Sequence, residues 1–479
     1  MRRLWRTGVV TIGALTGVTV MAAAMRPAHG RTSTAPLGMD WPRFGWDVAG
    51  SSSSPVPTGI DAGNVATLTK LRVPIDGTVD AAAIYLHGVQ IGGAAHDAFF
   101  VTTTYGKTIA IDAAAGTVLW TFTPPNYSSW AGTRQITNAT PIADPDRQSI
   151  YAASPDGNIQ KLSIADGHAM WTTAITKLAR REKITSSLNY YHGRIIATTG
   201  GYIGDAPPYQ GHVSILDASS GALQHTWNSL CSDSTAMIDP STCSESGSAI
   251  WGRTGAVIDT TTGDIFVATG NGHWDGRTNW GDATLQLDST ATILLGNYTP
   301  ANTQSLDETD TDVGSTSPAL LGGGYIAQGG KDGSINLLDT ALMHGTSPHK
   351  GGELQSVSTP SGARLFTALA VMHSSNGTWL FGADNGATAA WTFKDNKLAP
   401  AWQNKNPGTS PVVAGGLLYV YDPHGGLRVY EPTTGHLITT LECGPGHWNS
   451  PIAVDGRIAL PEGNANDHSA TGVLDIWHK

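Results

Sequence analysis

Short apolar runs alternate with polar turns along most of the chain, and the alternation itself repeats. One unit reads F-F-V-T-T-T-Y-G-K-T-I-A-I-D-A-A-A-G-T-V-L-W-T-F, from Phe99 to Phe122. It predicts a strand, a Gly turn, a strand ending in Asp112, a turn at Gly116 and a strand carrying Trp120. Similar units end at Trp171 and Trp227, and others run through A-T-L-Q-L-D, S-I-N-L-L-D, A-T-A-A-W-T-F and L-R-V-Y, the last ending V-L-D-I-W at Trp477. The period is roughly 35 to 50 residues, in the range of propellers and other repeat architectures. A lone meander cannot bury both its faces, whereas stacking meanders around a ring does so. The pattern therefore predicts an all-β, eight-bladed β-propeller. Its last unit lacks an outer strand, and Leu68 to Ile75 has the alternation of that missing strand, so the N-terminal strand is expected to close the ring. The Trp after each turn reads as a blade-to-blade packing residue. The Ser run from Ser51 to Ser54 reads as a surface turn.

Composition supports short strands over long helices. Gly is 58 of 479 residues and charged residues are only 14%, against averages of about 7% and about 25%. The first thirty residues stand apart: Arg2, Arg3 and Arg6 precede an apolar run from Gly8 to Met25 and then small residues. This predicts a signal peptide over 1–30, a linker and cap segment over 31–66, and the propeller over 67–479, with a periplasmic or secreted location. No later segment is apolar for long enough to span a bilayer as a helix. Loss of the four Arg in 1–30 takes the net charge from −10 to −14, and no basic block remains, which excludes a nucleic-acid binder. Cys231 and Cys243 bracket a polar loop and are expected to form a disulfide, with Cys443 left to pack as a small apolar residue. The sequence has no C-x-x-C-H haem site, zinc-protease motif or G-x-S-x-G elbow.

The repeat A-x-D-x-x-x-G-x-x-x-W, Ala110 to Trp120, resembles that of the pyrroloquinoline quinone (PQQ) family. That family includes eight-bladed quinoprotein alcohol dehydrogenases, polyvinyl-alcohol dehydrogenase-like proteins and non-catalytic outer-membrane assembly propellers. The stretch Trp251 to Lys331 carries the more specific resemblance. Trp251-Gly252 and Thr269-Gly270-Asn271 match, in order, the family's quinone floor and its Ca²⁺-ligating Asn. Asp310, in L-D-E-T-D-T-D, matches the catalytic base, with Asp312 as the near alternative and an acidic surface loop as the plainer reading. Lys331, before Asp332-Gly333, matches the residue that contacts the quinone oxygens. Where the family has a third-blade Glu on the metal, the nearest acid is Asp205, and where it has a vicinal Cys pair there is Trp130-Ala131-Gly132-Thr133-Arg134. Arg134 is the candidate partner for a quinone carboxylate.

The resemblance implies PQQ and Ca²⁺ as cofactors, an alcohol or polyol substrate, and a separate electron acceptor such as a cytochrome c. The residue types suit that chemistry. Trp gives a planar cofactor a flat apolar partner. Asn and Asp oxygens suit a hard cation. A carboxylate near the substrate hydroxyl can take its proton, and Lys can stabilise developing negative charge. The polar loop Gly463 to His468 is placed within reach of the pocket rim. The alternative is a non-catalytic propeller that binds protein or glycan through its loops, because a fold does not carry a function.

Overall fold

A computed structural model describes residues 39–479 apart from Ile203. The predicted signal peptide and the first part of the linker lie outside these residues. Eight sheets follow one another around a ring, seven of them four-stranded and antiparallel and the eighth carrying a fifth, parallel strand beside its four antiparallel ones. Blades 1 to 7 span Ile84–Phe122, Ile142–Ala174, Asn189–Asn228, Val257–Tyr298, Ala319–Ser358, Ala370–Asn404 and Val412–Leu441. Blade 8 takes three strands from Ile452–His478, and its fourth is Thr69–Ile75, paired in register from Thr69↔His478 to Ile75↔Gly472. The expected closure by an N-terminal strand is thus observed. The Trp251 to Lys331 stretch lies across blades 4 and 5, as its place in the repeat implies.

The repeat signature has a direct physical role at the blade joints. Trp120 of blade 1 lies on Gly167 of blade 2, where an added Cβ would come within 2.5 Å of the indole. Its Nε1–H donates to Ile164 O at 2.8 Å. Trp171 and Gly221 repeat the arrangement between blades 2 and 3, as do Trp402 and Gly435 between blades 6 and 7. Each of these glycines has a positive φ, from 69° to 75°, so both the turn and the docked ring require glycine. At the closing joint, Leu71 and Val73 of the N-terminal strand take the ring's place on Gly116.

Residues 41–54 lie across the first strands of the blades. Trp41 pairs with Tyr85 of blade 1, and Pro42 O accepts from Ala143 N of blade 2. Arg43 Nη1 donates to Asn189 Oδ1 of blade 3 at 2.5 Å. Val48 O and Ser51 O accept from Ile258 N of blade 4 and Val371 N of blade 6. Ser53–Ser54 then runs parallel to Val413–Ala414 of blade 7. Phe44 is buried against Ala82 and Ala368. The segment therefore closes one end of the ring. This corrects the reading of Ser51–Ser54 as a surface turn: Ser52 and Ser54 are buried, because their backbone groups complete the inner edge of a blade. The Cys231–Cys243 disulfide is present, and Cys443 packs at the edge of the largest core cluster.

Candidate active site

Loops from the ends of the blades enclose a cavity of about 280 Å³, at the lower edge of the roughly 300–1,000 Å³ typical of ligand sites. Trp251, Lys331 and Asp205 line it, together with Lys183, Arg253, Phe366, His447, Trp448 and Asn466. Asn466 belongs to the Gly463 to His468 loop.

Trp251 precedes blade 4, with its indole edges against Gly200, which has no room for a Cβ, and Gly270, where a Cβ would crowd the ring at 3.1 Å. Lys331 Nζ stands 5.3 Å from the ring centroid. That ammonium is held from two sides: Asp310 Oδ1 accepts its hydrogen bond at 2.6 Å, and Asp312 Oδ2 makes a charge contact at 2.6 Å. Burial works against the Lys331 charge, but Asp312 and Asp310 outweigh it and raise the ammonium above its ordinary range.

The two carboxylates differ. Asp310 ends the short helix Thr303–Thr309 in the left-handed region, with φ 52°. Its side chain is 63% exposed and reaches Arg364 Nη1 at 3.5 Å. Asp312 is fully buried, and burial pushes its carboxyl up against the pull of Lys331. The acidic stretch is therefore a surface loop only as far as Asp310.

Asn271 sits behind the cavity wall. Its Nδ2 donates to Leu306 O and Asp307 O at 3.2 and 3.4 Å, which leaves the buried Oδ1 without a partner. Asp282, whose N–H donates to Gly270 O, is also fully buried, with neither carboxylate oxygen hydrogen-bonded among the described residues. Burial, then the charges of Asp312 and Asp307, push Asp282 up to about 8. Asp205 faces the cavity from an exposed loop, and the part of its carboxyl turned from water raises it to about 6 against Lys331 and Lys183. Unpartnered buried carboxylates and an amide oxygen are costly unless a ligand satisfies them, and an all-oxygen donor set suits a hard cation. Arg134 is exposed and does not face the cavity.

Sequence reasoning missed Asp282, Lys183, Arg253 and the support behind them. That support is Asp80, fully buried, which accepts from Asn138 Nδ2 at 3.1 Å, Trp448 N at 2.7 Å and Ala465 N at 3.1 Å, with His447 Nδ1 at 2.8 Å. Burial opposes the Asp80 charge, but His447 and Arg253 outweigh it and hold the carboxyl below its usual range.

Residues 69–239 match the family model described as outer membrane protein assembly factor BamB. Quinohemoprotein alcohol dehydrogenase ADH IIB of Pseudomonas putida is 26% identical over 286 residues, 57% of this chain. The match spans 40% of that relative's length. Quinohemoprotein alcohol dehydrogenase from Comamonas testosteroni superposes with a TM-score of 0.66 at 17% identity, over 93% of this chain and 81% of that one. A europium-containing methanol dehydrogenase superposes at 0.67 and 14% identity, over 92% and 98%. In its repeat and in its fold the chain resembles the PQQ-repeat β-propellers, with the architecture of the quinoprotein alcohol dehydrogenases.

Proposed function

We propose that this protein is an exported PQQ-dependent dehydrogenase that oxidises an alcohol or polyol and passes the electrons to a separate acceptor such as a cytochrome c. The observation that carries this reading is the meeting of Trp251 and Lys331 in one cavity, beside unpartnered buried oxygens. A planar, carboxylate-bearing quinone fits such a wall: indole for its rings, cations for its anionic groups. Asn271 Oδ1, Asp282 and Asp312 are the residues suited to hold Ca²⁺, with Asp205 reaching from the third blade. When bound, PQQ would supply the oxidant, a two-electron acceptor for the substrate's hydride.

The chain's own residues do the rest. Trp251 holds the ligand plane, and Lys331 sets positive charge beside it. Asp310 is the proton acceptor for the substrate hydroxyl: it is solvent-accessible, and Lys331 and Arg364 fix its carboxylate. Burial of Asp312 against Lys331 suits it to the metal and not to exchange with solvent. Among the described residues no helix is long and apolar enough to cross a membrane.

The test is reconstitution of the purified protein with PQQ and Ca²⁺, followed by quinone absorbance and dye-linked oxidation of an alcohol series. Failure to bind PQQ would falsify the proposal. Asp310→Asn is expected to keep PQQ bound and to lose turnover by about 10²–10⁴-fold; turnover within a few-fold of wild type removes Asp310 from the role.

A further inference from the structure

Two buried cations on the cavity wall make no direct ion pair with any described residue. Lys183 is 8% exposed, in a two-residue ribbon, Glu182–Lys183, paired with Gly200–Gly201. Its Nζ makes no hydrogen bond or ion pair to a described residue, and its nearest aromatic face, Tyr202, lies at 5.9 Å, the outer limit of a useful cation–π contact. Arg253 is 5% exposed. It donates through Nη2 to two carbonyls, Asp80 O at 3.0 Å and Trp448 O at 3.4 Å, and its Nε has no partner.

Neighbouring carboxylates act on these charges only at a distance. The Asp80 carboxylate is saturated by Asn138, His447, Trp448 and Ala465. Asp205 shares the cavity but makes no ion pair with either cation. An unpaired buried charge costs several kcal/mol even after relaxation. Both cations face the same open space, so a ligand's negative charge would remove that cost. Arg offers a planar fork for a carboxylate, and Lys a point charge beside it.

We propose that Lys183 and Arg253 form a carboxylate-binding wall, selecting a planar aromatic ligand that bears two or more carboxylates. In the PQQ reading, on which this deepening rests, the wall holds the carboxylate edge of PQQ, a role for which Arg134 is too exposed. The outcome is a cavity whose charge selects for a polyanion before any chemistry occurs.

Equilibrium binding tests the wall without turnover. Tryptophan-emission quenching is titrated with PQQ and, separately, with benzene-1,3,5-tricarboxylate, a planar trianion that has no quinone. Lys183→Met and Arg253→Met are each expected to weaken both ligands tenfold or more, and Lys183→Arg to stay within a few-fold of wild type. Equal affinity of Lys183→Met and wild type for both ligands overturns the wall, as does a wild type that binds neither. Lys183-dependent binding of the tricarboxylate without binding of PQQ keeps the wall and removes the PQQ reading. Should Lys183→Met not fold, modification of the wild type by trinitrobenzenesulfonate replaces it. Protection of Lys183 by the tricarboxylate supports the wall, and modification at an unchanged rate overturns it.

Discussion

Tryptophans at the blade joints and the tryptophan at the cavity make similar contacts to different ends. Trp120, Trp171 and Trp402 each lie on a glycine of the next blade and donate the indole N–H to a carbonyl there. Trp251 also lies against glycines, Gly200 and Gly270, but no described residue accepts its N–H, and a buried ammonium stands over its ring. The joint residues are consumed by the fold, so what they do is hold neighbouring blades together. Trp251 is held just as firmly at its edges, yet it keeps surface for something that is not protein. The same side chain is thus structural or ligand-directed according to what faces its remaining surface.

Four measurements would break or sharpen this contrast. Trp120→Ala should have the largest effect, lowering stability by about 3–5 kcal/mol through loss of a buried aromatic, read as a shift of the denaturant midpoint with an unchanged slope. Gly167→Ala should cost about 2–3 kcal/mol, from a positive φ and from overlap with the docked ring, while ligand affinity in the folded fraction stays at the wild-type value. Trp251→Ala should reverse the pattern, costing less stability than Trp120→Ala and reducing PQQ affinity about tenfold, worth about 1.4 kcal/mol. If instead Trp251→Ala unfolds the protein as Trp120→Ala does, the distinction between the two classes is lost.

The smallest effect is one of pH. Burial lowers the Lys183 ammonium from 10.5 to about 8, against the opposing pull of Asp80 and Asp205 and with the help of Arg253. Below about pH 8 the cation is present and polyanion affinity is at its plateau; above it the affinity should fall, up to tenfold per pH unit. The unliganded fold should respond in the opposite sense. Between about 8 and 10.5 the unfolded chain binds the extra proton, so stability rises with pH across that window. Both trends should be absent in Lys183→Met.

The fold was readable because its signal is local. Asp112, Gly116 and Trp120 lie within one turn and the strands beside it, and the joint they build is repeated with little change. Trp251 and Lys331, which the structure brings to one cavity wall, could be picked out because they sit in adjacent blades and in motif order. The rest of the site could not. Lys183 lies in R-R-E-K, which reads as a solvated charge run, yet the ribbon with Gly200–Gly201 turns it inward. Asp282 is the second residue of a Gly281-Asp282 pair, and nothing local announces a fully buried carboxylate. Arg253, Asp80 and His447 belong to separate connections that meet only when the ring has closed. Ser51–Ser54 misled for a related reason: its polar side chains describe a turn, whereas its fate is set by backbone pairing with blade 7.

The segment 41–54 gives the cavity a further property. With 41–54 lying across one end of the ring, a ligand would reach the central cavity from the other. Two ligands held there must arrive in order and leave in the reverse order. In the proposed dehydrogenase, a planar cofactor against Trp251 would load before substrate, and an electron carrier would dock on the face through which substrate enters. Turnover and electron delivery would then compete for one doorway, and a saturating substrate would slow reoxidation by the carrier.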